Sequence, residues 1–225
     1  MPLILPHNNP ACPAPEWLTF LVQSIPALLG NLLHQAGSPS LERMQFIGFS
    51  LSLRPFDQLK DMNPSLRDVK IHKTSVQQLT LSGQLMNGNE VMLDITLDYF
   101  MRGQRQYYKH PALPDLDTVA TLPPFTKEDI SAFFKSINRP YDFFIDEDLA
   151  HLNGHRSLSV PSIMILATLI QRALMENPLA TTFVASFSQM LPENIPFMLA
   201  TTKNPTAMLG LIAQNGAPIA AIRYT

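Results

Sequence analysis

Two Asn-Gly dipeptides constrain this chain more than any other feature. Asn87–Gly88 lies between the apolar runs Val76–Leu85 and Val91–Phe100, and Asn215–Gly216 lies between Met208–Ala213 and Ile219–Tyr224. A two-residue hairpin loop needs positive φ at both positions, which Asn and Gly tolerate best, so each dipeptide marks an antiparallel hairpin.

Each hairpin closes a similar series. The first opens with a helical stripe that begins at Pro15 and Glu16 and takes in Trp17, Leu18, Leu21, Val22, Ile25, Leu28, Leu29 and Leu32. Pro15 suits a first helical turn, where its missing amide would have been unpaired anyway. Pro26 is expected to kink the helix, and the stretch Gly37–Pro39 to end it. The second series opens at Pro161 and Ser162, buries Ile163, Leu166, Ala167, Ile170 and Leu174, and stops at Asn177–Pro178. The strand Phe46–Ser50 of the first series has its counterpart in Phe183–Phe187. Self-similarity in fixed order points to a duplicated unit, a long helix followed by an antiparallel meander. The chain therefore divides into a first, mainly structural repeat over 1–102, a connector over 103–124, and a second repeat over 125–225. Residues 61–67 are turn-rich and read as a loop insertion before a strand at Val69–Ile71. The second repeat alone carries an extra segment, 125–160, so a specialised site belongs there.

Composition narrows the function classes. Hydrophobic residues make up 46% of the chain and charged ones 15%, enough for a sizeable core. The net charge of -2 and a pI near 6.3 give no basic footprint for nucleic acid. Arg102, Arg105, Lys109 and His110 cluster in the connector and suit either an anionic ligand or a solvated link. Cys12 is the single cysteine, which excludes an internal disulfide and a multi-cysteine metal site and fits a reducing compartment. The stretch Met1–Pro6 has no basic region and is broken by prolines, so it does not read as a secretory signal. No apolar run reaches membrane-span length, and the reading is a cytoplasmic protein.

The extra segment holds the chemistry-bearing residues. Phe125, Thr126, Glu128, Asp129, Ile130, Phe133 and Phe134 form one group; Ile145, Asp146, Glu147, Asp148, Leu149 and Ala150 form a second; Gly154, His155 and Arg156, followed by Val160, Pro161 and the helix, form a third. In this order and spacing they resemble the MaoC-like hydratase and dehydratase family, and the duplicated helix and meander resemble a double hotdog. The resemblance implies an α+β double hotdog that acts on acyl thioesters of coenzyme A or of an acyl carrier protein, without a cofactor, as a homodimer or a partner subunit.

The same resemblance shows a departure. Active members carry an Asp and a His in the segment before the Asp-Glu pair. Counted back from Asp146, Phe144 stands at the His position and Arg139 at the Asp position; counted from Pro140, Asp142 and Ile137 do. Neither register restores the dyad, and Phe or Ile transfers no proton. His155 is then the replacement acid or base, assisted by Asp142 or Asp146. Asp146 is equally suited to capping the turn that follows it. His151 and His155 are four apart, but Asn153 and Gly154 disfavour helix between them and no third ligand is evident, so a metal is not expected. Arg139 and Arg156, with Tyr141 beside the first, are candidates for a phosphopantetheine or nucleotide phosphate. The amides of Ser162 and Ile163 would hold the thioester oxygen, as an oxyanion hole does. Hydrolysis of the thioester, directed by an acidic residue such as Asp146, and acyl binding without turnover are the two other readings. The methionines, Met164, Met175, Met190, Met198 and Met208 among them, suit an acyl tunnel and an ordinary core equally.

Overall fold

The computed structural model describes residues 15–35, 44–54, 64–73, 78–101, 117–136, 144–152, 158–202 and 208–225. Helix α1 (Glu16–Gln35) runs unbroken through Pro26 and is followed by β1 (Met44–Leu53), β2 (Pro64–Lys73), β3 (Gln78–Asn87) and β4 (Glu90–Met101). Then come β5 (Asp117–Leu122), α2 (Lys127–Ser136), α3 (Glu147–Leu152) and α4 (Ser162–Glu176). The chain finishes with β6 (Thr182–Phe187), β7 (Phe197–Thr201), β8 (Met208–Ala213) and β9 (Pro218–Tyr224).

The nine strands form one antiparallel sheet in the order β2-β3-β4-β1-β6-β9-β8-β7-β5. Read outward from its centre, β1-β4-β3-β2 is mirrored by β6-β9-β8-β7. The two halves join where β1 pairs with β6, from Gly48 opposite Ser186 to Ser52 opposite Thr182. Both hairpins lie where the sequence puts them, between β3 and β4 and between β8 and β9, but only the glycines, Gly88 and Gly216, take positive φ, and Asn87 ends β3 opposite Glu90, so the first loop is Gly88–Asn89.

Alternation decides which face is covered. Phe49 and Leu51 of β1, Leu93, Ile95 and Leu97 of β4, and Phe183, Ala185 and Phe187 of β6 point into the core. Their neighbours Ser50, Ser52, Asp94, Thr96, Asp98, Thr182 and Ser186 face the other way and are partly or fully exposed. Trp17, Leu18, Leu21, Val22 and Ile25 of α1 cover the inner face. Helix α4 is buried continuously from Met164 to Gln171, as befits a helix enclosed on all sides. A ring pair crosses the seam between halves, with Phe46 of β1 4.8 Å from Phe187 of β6, and within the first half Phe46 also lies 5.1 Å from Tyr99 of β4. Each such pair contributes about 0.5–1.5 kcal/mol beyond its buried area.

A bulge in β1 lets this packing occur. The register steps from Phe46 opposite Tyr99 to Gly48 opposite Asp98, leaving Ile47 unpaired. The extra residue resets the alternation, so Phe46 and Phe49 both reach the core although three positions apart. A Cβ at Gly48 would come 3.1 Å from Asp98 Oδ2, so a larger residue there requires the Asp98 side chain to shift. The other oxygen of Asp98 accepts a bond from Thr80 Oγ1 at 2.5 Å.

Three stretches depart from the sequence expectation. Residues 64–67, read as part of a loop, begin β2. Pro64 is tolerated because it is the first residue of an edge strand, and a register shift between Arg67 and Lys70, with Asp68 at φ 51°, absorbs the turn-like composition. Residues 117–122, read as connector, form β5, which extends the sheet beyond β7. Strand β7 itself, the counterpart of β2, carries no turn signal that would have announced it.

Candidate active site

The extra segment of the second half builds three short pieces against the core. Helix α2 begins with a reciprocal cap: Thr126 N donates to Asp129 Oδ2 at 2.9 Å and Asp129 N donates to Thr126 Oγ1 at 3.2 Å. This satisfies two amides that a helix start leaves open. Phe125 stacks on Phe197 of β7 with centroids 5.0 Å apart, while Ile130, Phe133 and Phe134 are buried. Gln23 of α1 reaches the other end, its Nε2 donating to Ser136 O at 3.3 Å.

Phe144 and Ile145 follow, both packed against the core. The Phe144 ring lies 5.5 Å from that of Phe134. Asp146 then caps α3, its Oδ1 accepting from Leu149 N at 3.0 Å. The cap leaves Asp146, Glu147, Asp148 and His151 at the surface.

The lead-in to α4, Leu158–Pro161, is buried. The turn between β6 and β7 fastens it: Val160 N donates to Leu191 O at 2.8 Å and Glu193 N to Leu158 O at 3.2 Å. The same turn holds α2, with Asn194 N donating to Phe125 O at 2.9 Å. Helix α4 starts without a side-chain cap. Its first intrahelical bonds run from Met164 N and Ile165 N to Pro161 O. The amides of Ser162 and Ile163 precede those bonds and have no intrahelical acceptor, at the positive end of the helix dipole. Both side chains are partly buried, and Ile163 packs on the core. An amide pair so placed suits an oxygen that gains negative charge.

Of the sequence-predicted site residues, Asp146, Ser162 and Ile163 are thus located. Arg139, Tyr141, Asp142, His155 and Arg156 lie outside the described residues. One polar group escaped the sequence reading. Glu193, in the turn that fastens α4, is partly buried, and its Oε2 is shut off from water without a hydrogen-bond partner among the described residues. Burial, then the charges of Glu147 and Glu128, push its carboxyl above the usual range against the opposing pull of Lys127. A Glu between proline-rich neighbours reads in sequence as a solvated turn, and only long-range contacts reveal otherwise. Among the described residues no cluster of His, Cys, Asp and Glu is suited to a metal, and no helix is long and apolar enough to cross a membrane.

No family model and no curated protein matches the sequence. Solved structures do match. HtdX from Mycobacterium tuberculosis superposes with a TM-score of 0.70 at 12% identity, over 92% of this chain and 85% of that one. A MaoC-like dehydratase from Phytophthora capsici gives 0.60 at 14% identity, over 84% and 74%. An acyl-ACP thioesterase from Bacteroides thetaiotaomicron gives 0.64 at 7% identity, over 99% and 94%. The fold is an α+β double hotdog. It is shared by dehydratases and thioesterases alike, so the fold alone does not choose between their reactions.

Proposed function

We propose that this chain binds acyl thioesters, of coenzyme A or of an acyl carrier protein, as a hotdog of the hydratase and dehydratase kind whose usual proton-transfer position is filled by packing. The observation that carries this reading is the contact of Phe144 with Phe134. In the register counted back from Asp146, the residue that stands where the resemblance expects a histidine is an apolar ring set against the core. It offers no proton to a substrate. Structurally similar proteins named as MaoC-like dehydratase and acyl-ACP thioesterase support the ligand class. The amides of Ser162 and Ile163 would accept the thioester oxygen, and the apolar face of α4 would border the acyl chain.

A second reading keeps the reaction. Water would be added to or removed from the α,β bond, with His155 as acid or base assisted by Asp142 or Asp146, and Arg139, Tyr141 and Arg156 holding the carrier. The same two amides favour it, since polarising the carbonyl acidifies the α-proton. Thermal unfolding with acyl-CoAs of graded chain length, run beside the enoyl absorbance and free-thiol release, separates these readings. Stabilisation without absorbance change or thiol release is expected. Steady loss of enoyl absorbance, abolished by His155→Ala, would establish the second reading instead. Thiol release would indicate hydrolysis, and no stabilisation by any thioester would remove the ligand class.

A further inference from the structure

The turn between β6 and β7 does more than connect strands. Leu191, 1% exposed, anchors it in the core, and within four residues it fastens two separate elements of the candidate site. Leu191 O and Glu193 N bond the lead-in of α4, Ser159 pairs with Pro192 across an isolated bridge, and Asn194 N bonds Phe125 O at the start of α2. Asn194 sits at φ 57°, a left-handed conformation that Asn accepts more readily than most residues. In the middle of this fastening stands Glu193, whose Oε2 is buried and unpartnered. On ionisation this oxygen is without water or, among the described residues, a donor, which is costly; the neutral acid loses less.

We propose that residues 191–194 form a pH-sensitive strap, closed over the starts of α2 and α4 when Glu193 carries a proton and loosened when Glu193 is ionised. The charged groups that bear on Glu193 are Glu147 from α3 and Lys127 and Glu128 from α2. The lead-in 158–161 contributes no charged residue, and His155 and Arg156 before it lie outside the described residues. Burial and two carboxylates outweigh one lysine, so the folded strap holds the Glu193 proton more tightly than the free chain does. The sign follows from linkage. A group whose carboxyl is raised in the folded state stabilises that state below its ordinary range, and the contribution is lost as pH rises through the raised value. The strap is therefore tightest in mild acid and looser at neutral pH. The inference rests on the strap alone and does not depend on which ligand the site takes.

Hydrogen exchange of the Val160, Glu193 and Asn194 amides, corrected for the intrinsic effect of pH, tests it in the full chain. Wild-type protein is expected to exchange these amides several-fold faster at pH 7.5 than at pH 4, below the ordinary carboxylate range, while amides of β4 keep their protection. Glu193→Gln, a neutral isostere, should hold the slow rate at both pH values. An equal pH dependence in wild type and Glu193→Gln overturns the proposal. Should that variant fail to fold, Glu147→Gln carries the test, because Glu147 is exposed. Removing its charge eases ionisation of Glu193, so the loosening transition must move to lower pH. A transition that stays in place, or moves upward, overturns the strap.

Discussion

Phe144→Ala tests whether an apolar contact has taken over the proton-transfer position. A fully buried Phe cut to Ala costs about 3–5 kcal/mol. Phe144 is only partly buried and touches the core from one side, so the expected cost falls to about 1.5–3 kcal/mol once the lost transfer area is scaled down. For a chain of 225 residues, each kcal/mol moves Tm by about 2–4 °C, which predicts a drop of about 3–12 °C. A double-mutant cycle with Phe134→Ala isolates the ring pair, whose coupling should be about 0.5–1.5 kcal/mol. Urea unfolding by fluorescence and circular dichroism supplies both numbers, provided the two probes coincide. A cost under about 0.5 kcal/mol with no coupling to Phe134 would refute the packing argument. Position 144 would then be free to serve a ligand rather than the core.

Other perturbations follow from the same contacts. Thr126→Ala removes the hydroxyl from the reciprocal cap of α2 and should cost about 1 kcal/mol in urea unfolding; Thr126→Ser should restore most of it. Arg54 donates to Asp94 from both Nε and Nη2, at 3.0 and 2.8 Å, and Gln84 donates to the other oxygen. Burial raises the Asp94 carboxyl, but these bonds outweigh it and the net displacement is downward. That contribution is present above the ordinary carboxylate range and disappears as pH falls through the lowered value. The Arg54 and Asp94 side chains are 53% and 39% exposed, so Arg54→Gln should cost only about 0.2–1 kcal/mol at neutral pH. Thermal scans should find the difference gone in strong acid.

How much of this was legible in the sequence depends on the range of the interactions involved. The hairpins marked by Asn-Gly, the two helical stripes and the likeness of Phe183–Phe187 to Phe46–Ser50 were readable because each is a local pattern repeated in order. Strands β2 and β5 were obscured because both lie at sheet edges, where Pro64 and polar residues are tolerated. The nine-stranded continuity through Gly48–Ser52 and Thr182–Ser186 was not readable, since it joins residues 130 or more positions apart. At the candidate site, the sequence put Phe144 at the histidine position in one register and Asp142 in the other, and the contact of Phe144 with Phe134 is a matter of packing that no local pattern carries. Asp146, weighed as catalyst or cap, makes a cap bond. Glu193 gave no signal, because its burial arises from α2, α3 and α4 converging on a turn that looks solvated.

The start of α4 offers the most direct test of acyl-thioester binding. Pro161 already has φ -59° and ψ 130°, the conformation a residue before proline prefers. Proline is also well tolerated at a first helical position. Ser162→Pro should therefore fold with nearly unchanged Tm while deleting one of the two amides proposed to hold the thioester oxygen. Calorimetric titration of wild type and Ser162→Pro with the same acyl-CoA measures the consequence. Saturable binding by wild type is expected, with at least about a fivefold weaker affinity for the variant, the loss of one hydrogen bond of about 1 kcal/mol or more. Wild-type protein that takes up no acyl thioester of any chain length or carrier would contradict this expectation.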